Sequence, residues 1–242
     1  VKKLNYIPVG LKSKNFSDEW LLDNTLDNIS KKNPFYGEYT FYYWYWKNML
    51  KDKKKDDWIG FCSYRELWGD KKDITDRHST KSLLKNLPEE WKNYETIIGE
   101  PFKLKKPGIA KILKYGKLAL LRNFKEILKA NWSIRFQFDM FHGNGYLDEA
   151  IKMLPEKDKK DFDYYVRNEN SLNQGNMFVT KSSKIINNYF SEVFSWLEKC
   201  ESILLYVGIC RHLLKYVDTC RQMSTCVKTW QHKPANVDKC RQ

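Results

Sequence analysis

The sequence predicts an α/β domain whose mainly parallel sheet is flanked by helices. Short apolar runs of strand length alternate along the chain with longer segments of helical periodicity. Such alternation favours parallel strands joined by helical crossovers, with ligands bound beyond the carboxyl ends of the strands. Hydrophobic residues make up 42% of the 242 residues, against 11 Gly and 7 Pro, so the chain can bury a core.

The first half of the chain contains three predicted elements. Residues 38–50 form a helix that is apolar nearly all round, which is typical of a helix buried on most sides. Residues 58–62 are a short apolar run bounded by charged residues and turn signals, which predicts a buried strand. Residues 94–98 form a second predicted strand, because Gly99 and Pro101 break the pattern directly after it.

The second half of the chain continues the alternation. Three helices are predicted over residues 111–129, 146–154 and 158–166. Pro155 ends the second of them, because its ring removes a backbone donor. Residues 176–180 form a predicted strand, and Ser182 or Ser183 caps a helix whose apolar stripe runs to Leu197.

The chain carries 43 Lys and Arg against 30 Asp and Glu, a formal net charge of +13. This excess favours an anionic partner (nucleic acid, a nucleotide diphosphate or a membrane surface), although a solvated basic surface explains it equally well. No uncharged apolar run approaches the roughly 20 residues that cross a bilayer, so we expect a cytoplasmic protein. The absence of Walker, GxGxxG, HExxH and GxSxG motifs argues against NTPases, dehydrogenases, zinc proteases and serine hydrolases.

The composition changes near Cys200. Five of the six cysteines lie at or after this position, aromatic residues become scarce, and no regular apolar period continues. We therefore predict one domain over residues 1–201 and an atypical cysteine-bearing tail over residues 202–242, which is poorly ordered or translated from a shifted reading frame. A zinc site in the tail is a weaker alternative, because no Cys-x-x-Cys pair is present.

Residues 23–33 form the densest polar cluster of the sequence. Their carboxylates, amides and hydroxyls can hydrogen-bond sugar hydroxyls, and Asp23 or Asp27 can hold a divalent cation. Asp and Asn also cap helices and form turns with their own backbone, so a structural role fits the same pattern.

Three further groups of side chains are candidates for chemistry. On the aromatic helix, whose rings we expect in the core, the charge of Glu38 needs a partner or a ligand. Arg65 follows the strand at residues 58–62 and can pair with a diphosphate or with a neighbouring acid. Asp139 and His142 lie among aromatic residues, and either can act as a base toward an acceptor hydroxyl or as a structural hydrogen-bonding group.

Six motifs in order along the chain resemble those of one known family. They are Asp-Asn-x-x-Asp-Asn-Ile-Ser-x-Lys-Asn at residues 23–33, Glu-x-Thr-x-x-Tyr-Trp-x-Trp-Lys-Asn at 38–48, Ile-Gly-x-x-x-Tyr-Arg at 59–65, Gln-Phe-Asp-Met-Phe-His-Gly at 137–143, Asn-Met-Phe-Val at 176–179 and Phe-x-Trp-Leu-Glu-x-Cys-Glu at 194–201. Together they resemble a bacterial glycosyltransferase family that has long been described as a domain of unknown function. Its members are encoded among capsule, exopolysaccharide and lipopolysaccharide genes.

The resemblance implies a GT-A-like fold, that of nucleotide-diphospho-sugar transferases, and sugar transfer from a nucleotide sugar to a cell-surface polysaccharide or lipid-linked glycan. A UDP-sugar is the expected donor. The implied donor-site residues are Asp23, Asn24, Asp27, Asn28, Ser30, Asn33, Lys47, Tyr64 and Arg65. The implied catalytic residues toward the acceptor are Asp139 and His142, and the supporting positions are Glu38, Trp44 and Asn176.

Several departures from the family pattern leave alternatives open. Ser-Tyr-Arg-Glu replaces the Asp-x-Asp metal motif of other GT-A enzymes, so the need for a divalent metal stays open, and Arg65 with Lys47 can neutralise the leaving diphosphate. The chain is expected to begin after the family's first strand, and Leu26 stands where the family has Gly. A catalytically inactive truncated relative is therefore one alternative.

A basic nucleic-acid-binding protein is the second alternative, although the lack of a known nucleic-acid-binding motif argues against it, and we expect no nucleic-acid partner. The basic surface also suits peripheral contact with the anionic inner face of the membrane. The donor sugar, the acceptor, the stereochemistry and the oligomeric state are not determined by the sequence.

Overall fold

The computed structural model of the protein describes residues 5–11, 16–54, 56–63, 66–69, 83–105, 127, 132–173, 177–204 and 239–241. The strands in this part of the chain are β1 (Val9–Gly10), β2 (Leu21–Leu22), β3 (Ile59–Gly60), β4 (Glu66–Trp68), β5 (Thr96–Ile98), β6 (Phe102–Lys103), β7 (Ser171–Leu172), β8 (Phe178–Thr180) and β9 (Lys239–Arg241). The helices are α1 (Asn33–Tyr36), α2 (Tyr39–Asn48), α3 (Ile134–His142), α4 (Tyr146–Lys152), α5 (Glu156–Asn168) and α6 (Ser183–Leu204).

The chain divides into two compact units, each formed from separate stretches of sequence. The first unit comprises Val1–Glu100, Gly175–Ser195 and Trp230–Gln242. The second unit comprises Pro101–Gln174 and Trp196–Thr229. The predicted division at residue 201 stays a prediction, because only α6 and β9 are described beyond that point.

In the first unit, β8 is the central strand of a three-stranded sheet, and both of its neighbours run antiparallel to it. Ile59 of β3 lies opposite Thr180, and Ile97 of β5 lies opposite Val179. The pairs β4–β9 and, in the second unit, β6–β7 are also antiparallel, whereas β1–β2 is parallel.

The fold is therefore mixed α/β, as predicted, but the expectation of a mainly parallel sheet is wrong for the described strands. Alternation of strands and helices favours a parallel sheet only where one helical crossover joins two strands of the same sheet. The chain between β5 and β8 passes through the whole of residues 101–174 in the second unit, so a single helical crossover does not set the direction of β8.

Aromatic side chains form the core of the first unit. Tyr42 of α2 packs edge-on against Phe61, with ring centroids 4.8 Å apart, and stacks on Phe190 of α6 at 5.8 Å. Phe178 of β8 lies 5.0 Å from Phe61. Each of these rings is buried, as is Tyr39. Four of the seven aromatic residues of α2 are buried, which confirms the core position for these four, and large rings of this kind contribute much of the buried apolar area.

Most predicted elements are present with shorter bounds. Helix α2 begins at Tyr39, ends at Asn48 and is followed by a 3-10 turn over Leu50–Asp52. Ser182 caps α6, because its hydroxyl accepts the backbone N–H of Ile185 at 3.3 Å. The predicted helix over residues 111–129 lies outside the described residues, apart from the helical Ile127. None of the helices in the described part of the chain has the length and hydropathy needed to cross a bilayer.

The second unit contains α3, α4 and α5, with β6 and β7 as an antiparallel pair. The hydroxyl of Ser133 accepts the N–H of Phe136 at 3.2 Å and caps α3. Pro155 stands at the N-cap of α5, as the break predicted there requires. Trp196 donates its indole N–H to the carbonyl of Ala150 at 2.7 Å, so this buried ring has a hydrogen-bond partner.

Candidate functional site

A buried hydrogen-bond network joins the polar cluster of residues 23–33 to the start of α2. The hydroxyl of Thr40 donates to the carboxylate of Asp23 at 2.5 Å, and both side chains have no exposed surface. The amide of Asn33 donates to Thr40 Oγ1 at 3.2 Å and to the carbonyl of Gly37 at 2.9 Å. Asp23 and Asn33 therefore form hydrogen bonds within the protein. This agrees with the structural role that was one explanation of the polar cluster.

A second set of contacts holds the middle of the same cluster. The indole N–H of Trp44 donates to Thr25 Oγ1 at 2.9 Å. The amide of Asn48 donates to the carbonyl of Asp27 at 2.8 Å, and Asn48 Oδ1 accepts the N–H of Asp27 at 3.3 Å. Tyr43 donates its hydroxyl to Asp27 Oδ1 at 3.4 Å.

Three of the α2 side chains that make these contacts lie on one face of the helix. Thr40, Trp44 and Asn48 are spaced four residues apart, so they lie on one face of α2, which is the face that binds the cluster. Thr40 and Asn48 were not among the predicted site residues, although this spacing on a predicted helix was a signal that could have identified them.

The remaining polar groups of the cluster form a surface beside α2. Asn24 and Asp27 are exposed, and Asn28 Oδ1 accepts hydrogen bonds from the backbone and the hydroxyl of Ser30 at 3.2 and 2.9 Å. Leu26 is 75% exposed and has a φ of +49°, a left-handed conformation that a non-glycine side chain adopts at a cost.

Lys47, which was predicted as a donor-site residue, lies on the exposed side of α2. Its ammonium group is 3.8 Å from the ring centroid of Trp46 and 5.5 Å from that of Tyr43. Because Tyr43 also contacts Asp27, Lys47 is close to the exposed part of the cluster. This surface therefore combines carboxylate, amide and ammonium groups, which suit a polar ligand.

A cavity of about 520 Å³ lies in the first unit, which we call the Glu38 cavity. Its walls include Phe41 and Tyr45 of α2, the indoles of Trp58 and Trp91, and the residues that directly follow β1 and β3 along the chain. Glu38, half-buried at the N-terminus of α2, is the one acidic side chain among the described residues that line the cavity. Its size and mostly apolar lining are typical of a small-molecule site.

Four ionisable side chains that line the cavity have raised pKa values. Burial, followed by the charge of Glu38, raises the pKa of the Cys62 thiol to about 11. The same two causes raise the pKa of Tyr42 well above its usual value. Burial raises the pKa of Tyr6 and of Tyr45 to about 12, with smaller contributions from Cys62 and Asp57, respectively. These groups are protonated near neutral pH.

The predicted catalytic pair belongs to the second unit. Asp139 on α3 is 3% exposed, its Oδ1 accepts the N–H of Gly145 at 3.2 Å, and its Oδ2 lies 3.4 Å from an Arg135 nitrogen. Burial raises the pKa of Asp139, and the charge of Arg135 opposes this effect. The half-buried His142 has its ring 5.0 Å from the ring of Phe138.

Arg135 also connects Asp139 to a larger network of ion pairs. Its Nε and a terminal nitrogen donate to the two carboxylate oxygens of Asp148 at 2.9 and 2.5 Å. Arg167 donates to the same Asp148 at 2.8 Å. The contacts of Asp139 are therefore those of a structural group that joins α3 to the start of α4, and its catalytic role stays a prediction.

Three predicted site residues lie outside the described part of the chain, namely Tyr64, Arg65 and Asn176. The described donor-site candidates all belong to the first unit. No group of three or more metal-ligating His, Cys, Asp or Glu side chains occurs among the described residues, and the question of a metal stays open.

Comparison with known proteins gives two matches. The family model described as "Domain of unknown function (DUF4422)" matches residues 2–208. Among solved structures, the fold is similar to that of the WbbM bifunctional glycosyltransferase in its apo form, with a TM-score of 0.55 at 17% sequence identity. The similarity covers 91% of this chain but only 39% of the WbbM chain. No curated protein matches. The family model covers most of the chain, and the protein is therefore a member of the DUF4422 family.

Proposed function

We propose that this protein is a glycosyltransferase that moves a sugar from a nucleotide-sugar donor to a glycan acceptor. The observation that carries the proposal is the Glu38 cavity, whose volume of about 520 Å³ and mostly apolar lining with a few polar groups are typical of a small-molecule site. The fold similarity to the WbbM glycosyltransferase and the family motifs support the same reaction class.

The cavity suits the uncharged rings of a nucleotide sugar. Its indole and phenyl walls offer flat apolar faces for a base or a sugar ring, and Glu38 accepts hydrogen bonds from hydroxyl or N–H groups. The ammonium group of Lys85 also lines the cavity and can donate hydrogen bonds to a ligand. We propose Lys47 and Arg65, the basic members of the predicted donor site, as the groups that neutralise the diphosphate.

The finer parts of the proposal follow from the family resemblance. We propose a GT-A-like mode of donor binding, a UDP-sugar as donor, and a cell-surface polysaccharide or lipid-linked glycan as acceptor. The formal net charge of +13 supports peripheral contact with an anionic membrane surface.

A thermal-shift panel tests donor binding. UDP, GDP, CMP and their sugars are added to the full chain with and without Mn²⁺ or Mg²⁺, and the melting temperature is measured. A ligand that binds only the folded state must raise the melting temperature, and saturation at about 100 times Kd adds about 2.7 kcal/mol. We expect one nucleotide class to stabilise the protein. A cooperative melt that no member of the panel shifts would contradict the proposal.

A further inference from the structure

Three exposed polar side chains line the Glu38 cavity beside its aromatic walls. Asn5 belongs to one segment of the first unit, and Lys85 and Asn86 belong to another. Because these side chains are exposed and also line the cavity, they lie where the cavity meets solvent. They take part in no hydrogen bond or ion pair within the described part of the chain. Their amide and ammonium groups are therefore open to a ligand.

Hydrogen bonds fix the backbone directly before Lys85. The N–H of Leu84 donates to the carbonyl of Trp68 at 2.9 Å, and the carbonyl of Leu84 accepts the hydroxyl of Tyr6 at 2.8 Å. The bond from Tyr6 also joins the segment that carries Asn5 to the segment that carries Lys85. The polar side chains of the two segments are therefore held at the same edge of the cavity.

Apolar packing fixes the chain directly after Asn86. Leu87 packs against the apolar cluster that contains the buried Trp91, and the N–H of Trp91 donates to the carbonyl of Pro88 at 3.1 Å. Lys85 and Asn86 are thus two exposed residues in a bend between anchored neighbours. An anchored backbone lowers the entropic cost of holding a ligand, so this arrangement suits a binding role.

The charges that line the cavity indicate which kind of ligand fits. Among the described residues, Lys85 is the one cation in the lining, as Glu38 is the one acid. Lys85 is exposed and forms no ion pair within this part of the chain, whereas Glu38 is half-buried. An ammonium group without a carboxylate partner attracts an anion. A ligand with an uncharged ring and an anionic group therefore fits with its ring against the indole walls and its anion at Lys85.

We infer that Lys85 binds the diphosphate of the sugar donor at the opening of the Glu38 cavity, where the two exposed asparagines donate hydrogen bonds to phosphate or hydroxyl oxygens. This inference rests on the proposed glycosyltransferase function. It adds to Lys47 and Arg65 a cation that lines the cavity itself. The uncharged ring of the nucleoside lies against the aromatic walls. None of the family motifs found in the sequence includes this lysine.

The test compares ligands that differ only in their phosphates. Isothermal titration calorimetry measures the Kd of uridine, UMP and UDP for the full chain, with and without Mg²⁺, and the guanosine and cytidine series are measured in the same way. Lys85→Gln removes the charge, and Lys85→Arg keeps it. Lys184→Gln is the matched control, because Lys184 is an exposed lysine of the same unit that does not line the cavity.

We expect one series to bind the wild type, with an affinity that rises with each phosphate. Lys85→Gln should weaken binding of that diphosphate about 10-fold or more, as expected for the loss of a hydrogen bond to a charged group. Binding of the nucleoside should change less than about twofold, because it lacks the phosphates. Lys85→Arg and Lys184→Gln should bind the diphosphate within about threefold of the wild type, because the first keeps the charge and the second lies elsewhere. Added NaCl should weaken diphosphate binding more in the wild type than in Lys85→Gln.

Three results would overturn the inference alone. Diphosphate binding by Lys85→Gln within about twofold of the wild type would show that Lys85 is a solvated surface lysine and would leave the diphosphate to Lys47 and Arg65. Equal losses for nucleoside and diphosphate would show that Lys85 affects the shape of the cavity and does not bind the phosphates. An equal loss in Lys184→Gln would show a general effect of net charge. Absence of binding of all three series by the wild type would instead overturn the proposed function, and the inference with it.

Discussion

Thr40 on α2 donates its hydroxyl hydrogen to the carboxylate of Asp23, seventeen residues earlier in the chain, and both side chains are completely buried. A carboxylate without solvent must receive its hydrogen bonds from the protein, so this contact stabilises the folded polar cluster. It also joins the residues that the sequence presented as a binding surface to the helix that carries Glu38.

Replacing Thr40 tests the strength of that contact. Thr40→Val keeps the shape but removes the donor, so we expect the free energy of unfolding to fall by about 2 kcal/mol, within the range for a hydrogen bond to a charged group. Thr40→Ser keeps the hydroxyl and should lose distinctly less. Urea denaturation of both variants provides the measurement. Equal losses in the two variants would show that the methyl group, and not the hydrogen bond, is the stabilising part of Thr40.

The second prediction concerns the thiol of Cys62. Its pKa of about 11 predicts slow alkylation by iodoacetamide at pH 8, with a rate that rises until the pH approaches 11. Glu38→Gln removes the second cause of this shift and should move the rate profile to lower pH. The measurement uses a chain whose other cysteines are replaced by serine, with free cysteine as the reference. An unchanged profile in Glu38→Gln would contradict the electrostatic contact between the two side chains.

The third prediction concerns the pH dependence of the second unit. The hydrogen bond from Arg135 lowers the pKa of Asp148 below its usual 3.8. Because the folded-state value is the lower one, this carboxylate stabilises the fold above pH 3.8, and the contribution is lost as the pH falls further through the folded-state pKa. Melting temperatures between pH 2.5 and 7 should fall more steeply on the acid side for the wild type than for Asp148→Asn. Parallel curves would contradict the assignment.

The fourth prediction compares two glycines that flank a turn between α3 and α4. Gly143 has a φ of +108°, and a Cβ added there would lie 2.4 Å from a ring carbon of Tyr146. Gly145 has a φ of +87°, and a Cβ there would meet open space. We expect Gly145→Ala to cost about 1 to 2 kcal/mol, from backbone strain alone. Gly143→Ala should cost about 3 kcal/mol or more, because overlap with the ring adds to the strain.

Urea denaturation of the two alanine variants checks this difference. The matched pair separates the two causes, since both positions require a positive φ and only one is crowded. Equal destabilisation would mean that the Tyr146 ring moves aside at little cost.

The helices were the part of the fold most readily predicted from the sequence. The nearly all-apolar segment over residues 38–50 predicted α2, and the serine cap with its apolar stripe predicted α6, because both signals depend on residues within a few turns. The strands β3, β5 and β8 were predicted in the right places but too long, and the other described strands were not predicted. Their pairing was predicted with the wrong direction, because the partner of β3 is β8, more than a hundred residues away.

The candidate site, like the fold, was predicted only in part from the sequence. The sequence identified the polar residues 23–33 and marked Glu38 as a charge that needs a partner or a ligand. The sequence did not show which of these residues form hydrogen bonds within the protein and which remain exposed. That difference depends on Thr40, Trp44 and Asn48, which reach Asp23, Thr25 and Asp27 once the cluster folds back onto α2.

The motifs of the sequence identified the family, and its periodicity and hydrophobicity located α2, α4, α5 and α6, because these signals are properties of the chain; α3 was not predicted. Only the tertiary structure decided that Asp23 and Asn33 are structural, that Asp139 is buried against Arg135, and that Glu38 lines a cavity. The physical reason is that burial and hydrogen bonding depend on residues distant in sequence, and their contacts exist only after the chain has folded.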